Sequence, residues 1–140
     1  MNFKLINLSI FVACLMAFAN VGCGRFGAAK DSGLDIGAAL AAKPFGTCDR
    51  KSVPTINLCM EAIGSDYNEA GYLQILESSC TSTGGVFSVS NCDRSMGIGS
   101  CIVAAGQTNE AHVTYYPPEY TAQSAKTACE ATPDGVYIAN

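Results

Sequence analysis

The chain has no tryptophan, a single histidine, and only 8 basic residues against 12 acidic ones in 140. Without Trp, a sugar-stacking site loses its best side chain. A formal charge of −4 offers no basic face, which excludes a nucleic-acid footprint. No run of about 18 apolar residues follows the N-terminal segment, so no internal membrane span is expected. No C-x2-C knuckle occurs and His112 is not beside a cysteine pair, so the pattern of a structural zinc site is missing. A G-x-S-x-G elbow, a phosphate loop and an HExxH helix are missing too. No metal, cofactor or nucleic-acid partner is expected.

Cysteine is what the chain does have, eight of them. The N-terminus accounts for the compartment. Lys4 precedes an apolar stretch from Leu5 to Ala19, and small residues follow, the layout of a secretory signal peptide over residues 1–22. Two cleavage points compete. Ala17-Phe18-Ala19 is a small-x-small site that would release a secreted chain from Asn20. Val21-Gly22-Cys23 resembles the end of a bacterial lipobox, in which the cysteine becomes the acylated first residue. Asn20 departs from that pattern, where an apolar residue is usual. Cys14 leaves with the signal in either case. Cleavage after Ala19 leaves seven cysteines and one odd thiol, whereas lipid on Cys23 leaves six that can all pair. Cys23 is therefore the expected lipidation site, and the membrane, through that lipid, is the first expected partner. Gly24, where an Asp is absent, favours outer-membrane sorting.

Residues 23–46 are rich in Gly and Ala and read as a flexible tether, with one short helix from Leu34 to Ala42. Residues 47–140 then form a Cys-rich domain. A domain of that size buries a modest share of its surface, and crosslinks supplement its core. Self-similarity divides it into two pseudo-repeats, 48–91 and 92–140. Cys48-Asp49-Arg50 recurs as Cys92-Asp93-Arg94, Cys59-Met60-Glu61-Ala62-Ile63-Gly64 as Cys101-Ile102-Val103-Ala104-Ala105-Gly106, and Cys80 with Gly85-Val86-Phe87 as Cys129 with Gly135-Val136-Tyr137. Helices are predicted over Glu69–Cys80, with Tyr72, Leu76 and Cys80 on one stripe and Asp66 or Asn68 as cap, and over Thr121–Ala131, capped by Thr121 and stopped by Pro133. Strands are predicted over Val86–Asn91, Cys101–Ala105, Ala111–Tyr116 and Val136–Ala139. Residues Gln107–Tyr116 read as an insertion that the first repeat lacks. The class is α+β: a short antiparallel sheet with two helices on one face, stapled by disulfides among Cys48, Cys59, Cys80, Cys92, Cys101 and Cys129.

Six cysteines allow 15 pairings. Equivalence of the repeats favours Cys48–Cys59 and Cys92–Cys101 at the necks of strand loops, with Cys80–Cys129 joining the helices. The runners-up pair each helix cysteine with a strand cysteine of its own half.

Three features carry candidate chemistry. His112 and Glu110 would share one face of a strand and form the best available catalytic pair, although a lone strand histidine is ordinarily an exposed polar residue. Tyr115, Tyr116 and Tyr120 flank Pro117-Pro118 and form a candidate binding patch, because tyrosines bury area at low entropic cost. The alternative places Tyr115 in the core and the other two along a loop. Asp49-Arg50 and Asp93-Arg94 read as turn chemistry rather than as a paired ionic site.

At Gly84-Gly85-Val86-Phe87-Ser88, Gly99-Ser100-Cys101, Tyr115-Tyr116 and Tyr120-Thr121-Ala122 with Cys129, the chain resembles small Cys-rich lipoproteins of Gram-negative envelopes, over about 60 residues from Cys80 onward. The resemblance implies a surface or periplasmic location and supplies no catalytic residues. The expected function is that of a lipid-anchored, non-enzymatic envelope protein that binds another envelope protein or a glycan. The alternative is a secreted small hydrolase, or an inhibitor of one, using His112 or the loop at 92–101.

Overall fold

The structure, a computed structural model, describes residues 35–140. The signal segment, Cys23 and the first part of the tether lie outside the described residues. Helix α1 (Ile36–Leu40) opens the described chain, with the Asp35 carboxylate accepting from Ala38 N at 3.1 Å. There follow β1 (Gly46–Asp49), β2 (Leu58–Ala62), a 3-10 turn (Ser65–Asn68), α2 (Ala70–Ser82) and β3 (Val86–Ser88). A second 3-10 turn (Arg94–Met96), β4 (Gly99–Val103), β5 (Ala111–Tyr115), α3 (Ala122–Glu130) and β6 (Gly135–Ala139) complete it. No helix among the described residues is long and apolar enough to cross a membrane.

The six strands form one antiparallel sheet in the order β3-β1-β2-β5-β4-β6. Residues directly opposite each other in such a sheet point to the same face. The register runs Phe87–Cys48–Met60–Val113–Cys101–Tyr137 across all six strands. Cys48 is bridged to Cys80 in α2, and Cys101 to Cys129 in α3. Both long helices therefore cover the same face, as expected. The core lies under α3, where Cys101, Tyr115, Ala125 and Cys129 pack together with Val113 and Tyr137 against them. Thr121 and Ser124 cap α3 reciprocally, a capping box that satisfies two orphan N–H groups.

Helix α2 is held differently. Cys80 is its one buried residue, Leu73 and Leu76 are half-buried, and Tyr72 and Ile75 are 51% and 68% exposed. Tyr72 therefore leaves the predicted apolar stripe. Glu69 occupies the cap position without a side-chain bond, and Asp66, predicted as a cap, instead accepts from Thr108 Oγ1 at 3.0 Å.

The disulfide pairing differs from the favoured scheme. The bridges are Cys48–Cys80, Cys59–Cys92 and Cys101–Cys129. Cys48 and Cys59 lie on adjacent strands, but Cys48 stands opposite Met60 and Cys59 opposite Asp49. One residue of offset turns the two sulfurs to opposite faces of the sheet. Cys80 and Cys129 cannot meet because each is already bonded to the strand beneath its own helix. The expected register of the two pseudo-repeats does not match the strand order. Each half has a ββαβ order, and β1 corresponds in position to β4, so Cys48 matches Cys101 rather than Cys92. Strand β5, read as an insertion, holds in the second half the place that β2 holds in the first. The recurring Cys-Asp-Arg reflects local turn chemistry. Asp49 accepts from Lys51 N at 2.9 Å and Asp93 from Ser95 N at 3.0 Å, a two-residue side-chain turn that forms in any loop.

Candidate functional site

The face away from the helices carries Thr47, Cys59, Glu61, Ser100, Ile102, His112 and Thr114, all fully buried or nearly so. A buried polar face needs a cover that can hydrogen-bond to it. The cover is the connection from β3 to β4, residues 89–98, which must travel from one edge of the sheet to the far side of β5. We call it the strap. Its predicted strand, Val86–Asn91, ends at Ser88, where the chain leaves the sheet edge and turns beneath it.

Five attachments hold the strap. Cys92 is bonded to Cys59. Cys92 N donates to Glu61 Oε1 at 2.7 Å, and Arg94 Nη2 forms a salt bridge with Glu61 Oε2. Tyr116 OH donates to Asp93 O at 2.5 Å. Asn140 Nδ2 donates to Arg94 O at 3.2 Å and Gly97 O at 3.0 Å. Asn91 Nδ2 also donates to Ala42 O at 2.8 Å, tying the strap to the segment before β1.

Under the strap the charged groups form a row. Glu61 stands directly opposite His112 on the neighbouring strand. His112 Nε2 lies 2.7 Å from Glu110 Oε1, which accepts from it. His112 Nδ1 has no hydrogen-bond partner and sits 3.6 Å from Glu61 Oε2, an electrostatic contact too long for a hydrogen bond. Glu110 also accepts from Gly106 N at 2.6 Å, which fixes it at the β4–β5 turn. The prediction that residues 110 and 112 share a face holds, and the expectation of an exposed histidine does not. Because β5 is an interior strand covered by the strap, the imidazole is fully buried and meets no substrate in this conformation.

Glu61 is the residue the sequence reading missed as a functional centre. A signal was present: a lone carboxylate within the apolar run Leu58–Ile63. Burial works to raise its pKa, but His112, the Cys92 N–H, Arg94 and Asn91 together hold the carboxyl below its ordinary value of 4.5. A depressed carboxylate contributes stability that is present above the unfolded value and lost as pH falls through the folded one. The unfolding free energy should therefore fall as pH drops through and below the ordinary carboxyl value of 4.5, and Glu61→Gln should flatten that slope. A denaturant titration repeated across pH checks this, and an unchanged slope in the variant would place the acid sensitivity elsewhere.

The tyrosine patch is also revised. Tyr115 and Tyr116 are only 6% and 3% exposed, so their rings offer no open recognition surface. Tyr115 packs in the core and Tyr120 lies against it, ring centroids 4.8 Å apart. Tyr116 belongs to the strap: beside Cys59 and Cys92 it fills a small cluster of its own. Burial, reinforced by the nearby Asp49 and Asp93 charges, pushes its phenol up to about 12. The neutral phenol is the form the fold favours, so its contribution is complete below pH 10 and fades as pH rises toward 12. In a phenolate absorbance titration, a step near pH 12 should be present in the wild type and vanish in Tyr116→Phe. That variant should also lose about 1 kcal/mol with the bond to Asp93 O.

The loop at 92–101 does not protrude and is not closed by a Cys92–Cys101 bridge; it lies down as the strap because Cys92 is anchored to the sheet. Arg94, read as part of a turn, is the cation that meets Glu61. What remains open nearby is a cleft of about 190 Å³ lined by Lys51, Ser52, Met96, Tyr116 and Pro117. Among the described residues no group of His, Cys, Asp and Glu is arranged to hold a metal ion.

No protein-family model, curated protein or solved structure matches the chain. The site therefore stands on its own geometry. Three bridges place the domain in an oxidising compartment, since thiols stay reduced in the cytosol. The charged row beneath the strap acts as a fastening: it couples two strands of the sheet to the segment that covers them.

Proposed function

We propose that the chain is an exported, lipid-anchored protein of a bacterial envelope whose folded domain works by binding an envelope protein or a glycan. The observation that carries this reading is the pairing of all six domain cysteines. It leaves Cys23 as the one cysteine after the signal segment without a partner in the domain, at the position where the lipobox-like Val21-Gly22-Cys23 calls for acylation. Lipid on that sulfur and the tether over residues 23–46 would hold the domain at the outer membrane, facing the periplasm or the surface. The binding role is supported by the burial of His112, the one histidine of the chain, beneath a disulfide-anchored strap.

The test is the intact mass of the protein extracted from its native membrane, before and after reduction. The expected species starts at Cys23, carries acyl chains and gains about six hydrogens on reduction, two for each bridge. An unlipidated mass starting at Asn20 would overturn the anchor and leave a secreted protein with a free thiol.

A further inference from the structure

Strand β6 is an edge of the sheet, and no described strand pairs with its outer side. Natural edges are guarded by Lys, Pro, bulges or shortness. The opposite edge, β3, is three residues long. β6 is five residues long, Gly-Val-Tyr-Ile-Ala, with no charge, no proline and continuous pairing to β4.

The ladder decides which of its groups face outward. Ala104 N donates to Asp134 O, and hydrogen-bonded positions alternate along an antiparallel pair, so Val136 and Ile138 spend their backbone groups on β4. Gly135, Tyr137 and Ala139 then point theirs away from the sheet. The Gly135 N–H is already used, donating to Thr132 O at 3.0 Å. The outward supply is the N–H and C=O of Tyr137 and of Ala139, and the C=O of Gly135.

We infer that β6 is a self-association edge, pairing antiparallel with β6 of a second copy about a two-fold axis at Tyr137. In that register Tyr137 N–H donates to the C=O of its counterpart, and Ala139 N–H donates to the C=O of Gly135 in the other copy. With their symmetry mates these make four backbone hydrogen bonds, and every outward donor finds an acceptor. The Gly135 N–H, which this register aims at the Ala139 C=O of the other copy, is already spent on Thr132 O, so that carbonyl keeps its water. Val136 comes opposite Ile138, a β-branched cross-strand pair, and Val136 is 39% exposed in the single chain. Asp134 comes opposite Asn140, whose side chain is an uncharged amide. The Tyr137 ring is turned inward over Gly99, where an added Cβ would collide with its phenol, and so leaves the edge clear. This self-complementarity selects a second copy over a foreign strand. The contact is isologous and closes as a dimer with a continuous sheet.

The experiment is sedimentation equilibrium of the full chain in density-matched detergent over a concentration series. The expected mass is that of two chains. Ala139→Pro removes an outward N–H and none of the β4 ladder, so it should weaken the dimer about tenfold or more while leaving thermal unfolding in place. Val136→Lys guards the edge by charge at an exposed position and should act in the same direction, which keeps the test valid if the proline variant fails to fold. A chain that is monomeric at every concentration, or a dimer indifferent to both substitutions, overturns the assignment. So does a wild-type monomer whose β6 pairs only with an added foreign peptide.

Discussion

Glu61→Ala should be the most damaging single substitution in the domain, costing about 3–5 kcal/mol of unfolding free energy at neutral pH. Removing one partner of a buried ion pair is worse than removing both, because the survivor stays buried without its counter-charge. Here three survivors would remain: the Arg94 guanidinium, the Cys92 N–H and the His112 imidazole. Denaturant unfolding measures the loss. A double variant, Glu61→Ala with Arg94→Ala, should recover part of it, since the stranded guanidinium goes with its partner. If the double variant is no better than the single one, Arg94 is not what Glu61 balances, and the fastening role of the charged row falls.

The second large effect concerns α2. Replacing Cys48 and Cys80 by Ala opens a loop of 32 residues, worth about 3.7 kcal/mol if the bridge acts by restricting the unfolded chain. Opening Cys101–Cys129, with a separation of 28, should cost nearly the same by that argument alone. The two helices nevertheless differ. Cys80 is the only buried residue of α2, while α3 also buries Ala125 within the main cluster. A detached 13-residue helix is marginal in water. Loss of Cys48–Cys80 should therefore raise amide exchange across residues 70–82 to nearly that of an open chain, while loss of Cys101–Cys129 leaves α3 protected. Equal protection of the two helices in their respective variants would mean that α2 is held by its half-buried leucines and not by its sulfur.

These effects lie on different parts of the fold, and their legibility in the sequence differs for the same reason. The strand over Ala111–Tyr115 and the helix over Ala122–Glu130 follow from local signals: alternation, a Thr121 cap and a Pro stop. The side shared by Glu110 and His112 follows from strand parity. Which cysteine meets which does not, because one residue of register decides the face a side chain takes. The exposure of His112 and the tyrosines could not be read either. It depends on a strap whose sequence, Val89-Ser90-Asn91-Cys92-Asp93, looks like any polar loop. Its path across the sheet follows from strand order, and strand order is a long-range property.

The sequence by itself determined the class, α+β, the cysteine-stapled character of the domain and the two principal helices, because periodicity, caps and composition act within a few residues. Only the tertiary structure decided the pairing of the sulfurs, the burial of Glu61 and His112 and the openness of β6. Each of these depends on which strands become neighbours. A residue's partners across this sheet lie 8 to 57 positions away and are chosen by register and topology, which leave no local mark in the chain.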